Sequence, residues 1–176
     1  MSPGDEGGLH RHRRDAPASV VCTVVTVSDT RTRETDTGGA LVQELLEQSG
    51  HVVSERVIVK DEPDEIRAAL VRATGEGESR AVIITGGTGV APRDVTPDTV
   101  GPLLEREIPG FGELFRMLSF EEIGSAALLS RALAGLRTGR VVFVIPGSRG
   151  AVRLALERLI VPELAHLAGE ATKTRS

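Results

Sequence analysis

Short apolar runs alternate along this chain with segments whose apolar residues recur at helical spacing. This alternation constrains the chain to a sheet covered on both faces. The first run, 20-VVCTVVTVS-28, is rich in β-branched residues and follows a polar segment, which is typical of a central strand buried on both sides. Three further runs are also predicted to be strands, at 52–59, 81–85 and 140–145, the last two of them short and apolar. Helical spacing of apolar residues follows three of the four runs, at 40–49, after Pro63 and after Ser148. This alternation predicts an α/β fold of three layers, with helices flanking a mostly parallel sheet.

Capping and breaking residues predict where the helices begin and end. Gly50 stands where a carboxyl-terminal cap is expected after the first helix. Thr96 is expected to cap a helix whose first residue is Pro97, and Ser148 to cap the last helical segment. Pro162 is expected to kink or restart that last segment.

The length and composition predict one domain between polar tails. At 176 residues, with 40% apolar and 26% charged residues, the chain has enough material for one core and little for two. We expect a disordered tail at 1–18, a single domain at 19–168 and a short polar tail at 169–176. The histidines at 10 and 12 lie in the first tail, where solvated side chains are the expected state.

Several classes of function are excluded by composition. Tyr and Trp are absent, only four residues are Phe, and the net charge is −4, which argues against nucleic-acid binding. No segment has the roughly 20 apolar residues needed to cross a membrane. The single Cys22 excludes an internal disulfide and suits a reducing compartment, so a cytoplasmic protein is expected.

Three loops rich in Gly, Ser, Thr and Asp follow the parallel strands, at 28–38, 85–98 and 146–150. The carboxyl ends of such strands are where α/β sheets bind ligands. In the second loop, 86-GGTG-89 offers backbone amides that can approach phosphate oxygens, although it matches neither the P-loop nor the dinucleotide-binding motif. A tight turn without a ligand is the alternative interpretation of the glycines alone.

Two aspartates at this edge suggest a magnesium site. Asp94 beside a phosphate-binding loop would repel its ligand unless a cation lies between them, and Asp61 follows the second strand. Glu62 is a rival ligand, and an ordinary acid at a helix start is the alternative for Asp61. Cations that could meet phosphate are the arginines of the three loops: Arg31, Arg93 and Arg149.

Longer stretches of the chain resemble a known family. The segments 26-TVSDTRTRETDTGG-39, 85-TGGTGVAPRDVTPD-98, 109-PGFGELFRMLSFEEIGSAALLSRALAG-135 and 145-IPGS-148 are similar to the MogA/MoaB family of molybdenum-cofactor biosynthesis, whose domain also occurs in gephyrin. The run FRMLSFEEIG resembles the MoaB branch in particular. The resemblance covers about residues 20–167 and rests mainly on the TGGTG and RDVTPD blocks.

The resemblance implies adenylyl transfer, in which ATP with Mg²⁺ as cofactor adenylylates molybdopterin and releases pyrophosphate. It implies that Asp61 and Asp94 are the catalytic acids and hold the metal. Retention of both acids favours an active enzyme. The implied substrate-binding residues are Ser28, Asp29, Asp36, Thr37, Gly38, Thr85, Gly86, Gly87, Thr88, Gly89, Arg93, Thr96, Pro97, Asp98, Ser119, Ser130, Pro146, Gly147 and Ser148.

The resemblance also implies identical subunits in a trimer or hexamer. Phe111, Leu114, Phe115 and Leu118 form an apolar stripe that suits either core or interface. The chain ends soon after its last helix, so a separate protein is expected to insert molybdate. One departure is PGSR at 146–149, where many family members have PGxP. Two alternatives remain open: a non-catalytic molybdopterin carrier, and a nucleotide-cleaving hydrolase on the same fold.

Overall fold

The computed structural model describes residues 18–75 and 77–173, in which six strands form one sheet in the order β2-β1-β3-β6-β5-β4. The strands are β1 (Val21–Val27), β2 (Val52–Val59), β3 (Ala81–Thr85), β4 (Arg106–Glu107), β5 (Leu133–Arg137) and β6 (Arg140–Ile145). β2, β1, β3 and β6 pair in parallel, whereas β5 and β4 add an antiparallel edge. The predicted mostly parallel α/β sheet is therefore confirmed, and β1 pairs on both sides as expected.

The helices lie between the strands, at α1 (Thr37–Gln48), α2 (Pro63–Ala73), α3 (Thr96–Val100), α4 (Pro109–Ile123), α5 (Arg149–Ala155) and α6 (Val161–Ala171). Single 3₁₀ segments occupy Gly101–Leu103 and Gly124–Leu129. A π-helical turn at Leu156–Ile160 joins α5 to α6. The predicted break near Pro162 is therefore confirmed, since proline has no N–H to continue the hydrogen-bond ladder.

Alternate residues of the buried strands face two hydrophobic layers, one on each side of the sheet. Val24 and Phe143 pack with α1, α4 and the last two helices, whereas Val25 and Val144 pack with α2 and Val100 of α3. Each fully buried Val, Leu, Ile or Phe side chain stabilises the fold by about 1.5–3 kcal/mol. Because both faces of the strands are covered, their carboxyl ends are left as the exposed edge where loops can form a site.

Thr96 is not the cap that its sequence context predicted. α3 begins at Thr96 itself, and Val95 occupies the position before the helix. The hydroxyl of Thr96 is fully buried and has no hydrogen-bond partner within the described residues, and it lies 2.4 Å from the position that a Cβ atom on Gly87 would take. By contrast, Ser148 caps α5 as predicted, accepting the N–H of Ala151 at 3.3 Å.

The described residues include most of the predicted carboxyl-terminal tail and one residue of the predicted amino-terminal tail. α6 continues to Ala171, three residues into the segment predicted as a polar tail, because its apolar face stays packed as far as Ala168. The predicted amino-terminal tail lies outside the described residues except for Ala18. Among the described helices, none is long and apolar enough to cross a membrane.

The apolar stripe on α4 is only partly core. Phe111, Phe115 and Leu118 are buried, and the Phe111 ring meets the Phe143 ring edge-on at 5.2 Å between centroids. Leu114 is 47% exposed. Further large apolar side chains on α4 and the following 3₁₀ segment are also exposed, namely Met117, Phe120, Ile123, Leu128 and Leu129, and we call these five residues the apolar patch.

Candidate active site

The loops that follow β1, β3 and β6 meet at the carboxyl edge of the sheet, as the parallel topology predicts. A Cβ atom on Gly38 would lie 2.8 Å from the carbonyl oxygen of Gly147, and one on Gly86 would lie 2.4 Å from a carbonyl oxygen of β1. Thr85 donates its hydroxyl to the carbonyl oxygen of Pro146 at 3.2 Å. The three loops therefore pack backbone against backbone, which requires glycine at the points of contact.

A cavity of about 310 Å³, here called the central cavity, opens between these loops. Its floor includes the first turn of α1, and the hydroxyl of Ser28 turns the first loop by accepting the N–H of Arg31 at 3.1 Å. The cavity brings together eight of the predicted substrate-binding residues: Ser28, Asp36, Thr37, Gly38, Thr85, Gly86, Gly147 and Ser148. Arg31 lines the same cavity and gives it a positive charge.

Asp36 lines the central cavity, but its carboxylate is engaged within the protein. Oδ1 accepts the N–H of Gly39 at 2.9 Å and so caps α1, which explains why that helix starts at Thr37, earlier than the apolar spacing predicted. Oδ2 accepts the hydroxyl of Thr26 at 2.9 Å. The side chain therefore fastens the first loop to β1.

The glycine turn after β3 lies between the two predicted catalytic acids. Gly87 has φ +64°, and a Cβ atom there would lie 2.9 Å from both carboxylate oxygens of Asp61 and 2.4 Å from the hydroxyl oxygen of Thr96. A Cβ atom on Gly89 would lie 2.7 Å from Oδ2 of Asp94. The two carboxylates thus press against successive glycines of one turn. The fold thus brings together two acids that are 33 residues apart in the sequence.

The environment of Asp61 raises the pKa of its carboxyl group above the ordinary aspartate value. Burial raises the pKa of Asp61, and the nearby carboxylates of Asp94 and Asp29 raise it further, whereas the N–H of Val95 lowers it in part. Its Oδ1 atom is buried and has no hydrogen-bond partner among the described residues. A cation placed against this oxygen would relieve both the charge repulsion and the missing contact.

Arg93 links the ends of three strands. Its Nε and Nη2 atoms donate to Oδ2 of Asp29 at 2.9 and 2.8 Å, and Nη2 lies 3.0 Å from Oε1 of Glu62. Oδ1 of Asp29 in turn accepts the N–H of Asp61 at 3.2 Å. The guanidinium holds the pKa of Asp29 below its ordinary value, helped by that N–H. Arg93 and Asp29, both predicted to bind substrate, therefore pair with each other and hold the Asp61 loop.

Arg131 belongs to the site and was missed by the sequence analysis. Its guanidinium donates to the carbonyl oxygens of Gly89 and Asp94 and to the carboxylate of Asp98, the last at 2.8 Å. The residue follows a 3₁₀ segment and lies in none of the three loops that the strand pattern marked. The available signal was its position inside the long family-like stretch, next to Ser130.

Two further cavities lie on either side of Pro92. The Asp61 cavity, of about 400 Å³, adjoins Asp61, Glu62 and Arg93. The Asp94 cavity, of about 310 Å³, adjoins Asp94, Asp98 and Arg131. Within residues 18–75 and 77–173 no group of three or more His, Cys, Asp or Glu side chains is arranged to hold a metal ion.

The remaining predicted residues lie at different distances from these cavities. Thr88 and Pro97 are buried in the glycine loop and in α3. Ser130 is adjacent to Arg131, whose N–H binds the carbonyl oxygen of Thr88, so the serine lies beside the glycine loop. Its hydroxyl is buried without a partner among the described residues. Ser119 is buried in α4 and lines none of the three cavities named above.

Comparison with known proteins assigns this arrangement to a class. Residues 23–166 match the family model described as "Probable molybdopterin binding domain". That span includes the three loops, both acids and Arg131. The chain therefore belongs to this family of molybdopterin-binding domains.

Individual relatives narrow the assignment to the MoaB branch. Molybdenum cofactor biosynthesis protein B of Halalkalibacterium halodurans is 52% identical over 168 residues, which are 95% of this chain and 99% of that protein. A crystal structure of a molybdenum cofactor biosynthesis protein B superposes with a TM-score of 0.88 at 50% identity, covering 91% of this chain and all of the other.

A more distant structure has the same fold. The tungsten cofactor synthesizing protein MoaB from Pyrococcus furiosus superposes with a TM-score of 0.79 at 36% identity, covering 90% of this chain and 100% of that one. The MogA/MoaB resemblance read from the sequence is confirmed, and the role of the chain lies in molybdenum cofactor biosynthesis.

Proposed function

We propose that this protein is a molybdopterin adenylyltransferase, which transfers the adenylyl group of ATP to molybdopterin and releases pyrophosphate. The observation that carries the proposal is the convergence of Asp61 and Asp94 on successive glycines of one turn, beside cavities lined by a helix amino terminus and by arginines. A reaction between two polyanions needs alignment and charge screening more than it needs a catalytic base.

The two acids fit a magnesium ion. Mg²⁺ prefers oxygen ligands and is commonly held by one or two carboxylates together with substrate phosphates and water. Asp61 and Asp94 would hold it, and the buried, unpartnered Oδ1 of Asp61 offers it a ligand that nothing in the described protein occupies. Bound there, the ion would screen the negative charge of the phosphate groups during transfer.

The terminal phosphate of molybdopterin is the proposed nucleophile. A phosphate monoester with a second pKa near 6 is largely ionised at neutral pH, so its oxygen can attack the α-phosphorus of ATP without a general base. A new oxygen–phosphorus bond forms at the α-phosphorus, and the bond from that phosphorus to the bridging oxygen breaks, with the electron pair leaving on pyrophosphate. The central cavity, with the amino terminus of α1 and Arg31, suits the phosphate-bearing end of one substrate.

Pyrophosphate release from ATP and Mg²⁺, measured with and without molybdopterin, tests the proposal. Wild-type protein is expected to release pyrophosphate only when the pterin is present, and Asp94→Asn is expected to lose this activity. Asp64→Asn is a matched control, because Asp64 is an acid at the start of α2 whose side chain is 96% exposed and pairs only with Arg67 at 3.3 Å. Equal activity of the two variants would contradict the role given to Asp94.

The same assay separates the two alternative functions. A carrier would bind molybdopterin tightly without releasing pyrophosphate in any variant. A hydrolase would cleave nucleotide without the pterin, and mass spectrometry would then find no adenylylated pterin among the products. Either pattern would replace the proposed transferase.

We further propose that identical subunits assemble through the apolar patch, as a trimer or hexamer in the reducing cytoplasm. Leu128 is 79% exposed and Phe120 is 60% exposed, which is unusual for side chains of this size on one contiguous surface. The adenylylated product would pass to a separate molybdate-insertion protein. Sedimentation of wild type and of Phe120→Glu tests the assembly, since the charged variant is expected to dissociate.

A further inference from the structure

Arg131 contacts the glycine loop through both its backbone and its guanidinium group. Its backbone N–H donates to the carbonyl oxygen of Thr88 at 3.1 Å, and its Nε donates to the carbonyl oxygen of Gly89 at 2.8 Å. Nη2 donates to the carbonyl oxygen of Asp94, while Nη1 meets Asp98 at 2.8 Å. The loop from Thr88 to Val95 has no regular secondary structure, and these contacts tie both of its ends to Arg131.

The geometry leaves the reactive carboxylate available. Arg131 binds the main-chain carbonyl oxygen of Asp94, and the positive charge of its guanidinium group is paired with the carboxylate of Asp98. The arginine therefore leaves the carboxylate of Asp94 unbound. Among the described residues, the hydrogen bond of that carboxylate is with the N–H of Ala91, at 3.2 Å, within its own loop. The orientation of the loop, and with it the position of Asp94 relative to Asp61, therefore depends on contacts supplied from outside the loop.

We propose that Arg131 is a positioning residue, which fixes the Asp94 loop so that Asp94 faces Asp61 across the glycine turn. Only arginine suits this task, because its planar fork carries donors in fixed directions that reach three acceptors at once. Lysine has one nitrogen and cannot span the same three oxygens. The proposal rests on the proposed function only for its effect on metal binding, since the contacts and the loop order are properties of the protein alone.

Hydrogen–deuterium exchange of the loop tests the positioning role without turnover. Arg131→Gln is expected to speed exchange of amides in 88–95 by about tenfold or more, because bonds to a charged donor are lost there. Amides of β3 and β6 are expected to exchange as in wild type. Arg137→Gln is the matched control, since Arg137 is also a half-buried arginine and donates to the hydroxyl of Thr74 at 3.1 Å and to the carbonyl oxygen of Leu103 at 2.9 Å without touching the loop.

Metal dependence supplies the second readout, with Mn²⁺ as the probe. Arg131→Gln is expected to weaken Mn²⁺ binding in the presence of ATP by about tenfold, whereas Arg131→Lys should recover part of this loss. Asp98→Asn removes one arm of the contact and should give a smaller effect in the same direction. It also keeps the test valid if Arg131→Gln fails to fold.

Two outcomes would overturn the proposal. Loop exchange and Mn²⁺ binding within about twofold of wild type would mean that Arg131 does not hold Asp94 in place. Faster exchange throughout β3 and β6 as well would mean that Arg131 stabilises the whole domain and has no particular role at the site. If wild type releases no pyrophosphate but loop exchange and Mn²⁺ binding respond as expected, the transferase fails and the positioning role stands.

Discussion

Replacing Gly87 by alanine should lower both the stability of the domain and the activity that depends on the position of Asp61. Gly87 has φ +64°, and the added methyl group would lie 2.4 Å from the hydroxyl oxygen of Thr96 and 2.9 Å from both carboxylate oxygens of Asp61. Thr96 is fully buried, so relief of the 2.4 Å contact with its hydroxyl must disturb the packing around the glycine turn. Asp61 is partly exposed, and its carboxylate must shift as well.

The expected cost has two parts. A residue with a Cβ in the left-handed region costs roughly 1–2 kcal/mol. Forcing a methyl group into a filled space adds about 1–3 kcal/mol. Gly50→Ala provides the control, because Gly50 has φ +85° but nothing lies within 4 Å of its Cβ position. Both variants lose the same glycine flexibility in the unfolded chain, so their difference isolates the contact with Thr96 and Asp61.

Urea denaturation and pyrophosphate release are the assays. Gly87→Ala should lose about 2–5 kcal/mol of unfolding free energy and Gly50→Ala about 1–2 kcal/mol. The folded fraction of Gly87→Ala should have at least about 100-fold lower kcat/KM, because an acid displaced by an ångström no longer meets its ligand. Gly50→Ala should keep full activity. Equal stability losses, or full activity of Gly87→Ala, would refute the placement of Asp61 against the glycine turn.

Three other perturbations test the core and the ionisation of the domain. Phe143→Ala should cost about 3–5 kcal/mol in urea denaturation, because Phe143 is 1% exposed, whereas Val71→Ala on α2, at a 46% exposed site outside the apolar patch, should cost far less. Burial lowers the pKa of His51, whose ring accepts the N–H of Val20 at 3.2 Å. Below the ordinary histidine pKa of 6.5, the unfolded chain therefore binds a proton at His51 more readily than the folded chain does. The free energy of unfolding should thus fall from pH 7 to pH 5 less steeply in His51→Gln than in wild type. Because burial raises the pKa of Asp61, an NMR titration of its side-chain carboxyl carbon in the metal-free protein should give a pKa above the ordinary aspartate value of about 3.9, and a pKa at or below that value would contradict the environment described for Asp61.

The central strands could be predicted because burial on both faces leaves a continuous apolar run in the sequence. The antiparallel strand β5, with sequence LAGLR and placed between β6 and the edge strand β4, gives no such signal, because it is short and contains glycine. A Cβ atom on Gly135 would lie 2.5 Å from the carbonyl oxygen of Arg106, so the glycine serves strand pairing, a contact between distant segments. The single sequence carries no trace of that close approach.

The site was predictable where chemistry follows a strand and unpredictable where side chains pair at long range. Asp61, Asp94 and the glycine turn follow strand ends directly, and the parallel topology brings them together. The pairing of Arg93 with Asp29 joins residues 64 apart in sequence, and residue types alone could not distinguish it from a phosphate-binding arginine. Thr96 was misread because the pattern before Pro97 favours a cap, whereas tertiary packing turns its hydroxyl toward Gly87.

The burial of Cys22 has a chemical consequence for a protein of this family. The thiol is fully buried in β1, and burial raises its pKa to about 12, so almost no thiolate forms at neutral pH. Molybdopterin carries a dithiolene, and an exposed cysteine could form a mixed disulfide with one of its sulfur atoms if dioxygen accepted the two electrons. Since the chain has no other cysteine, this protein offers a sulfur-rich substrate no exposed thiol for such a bond.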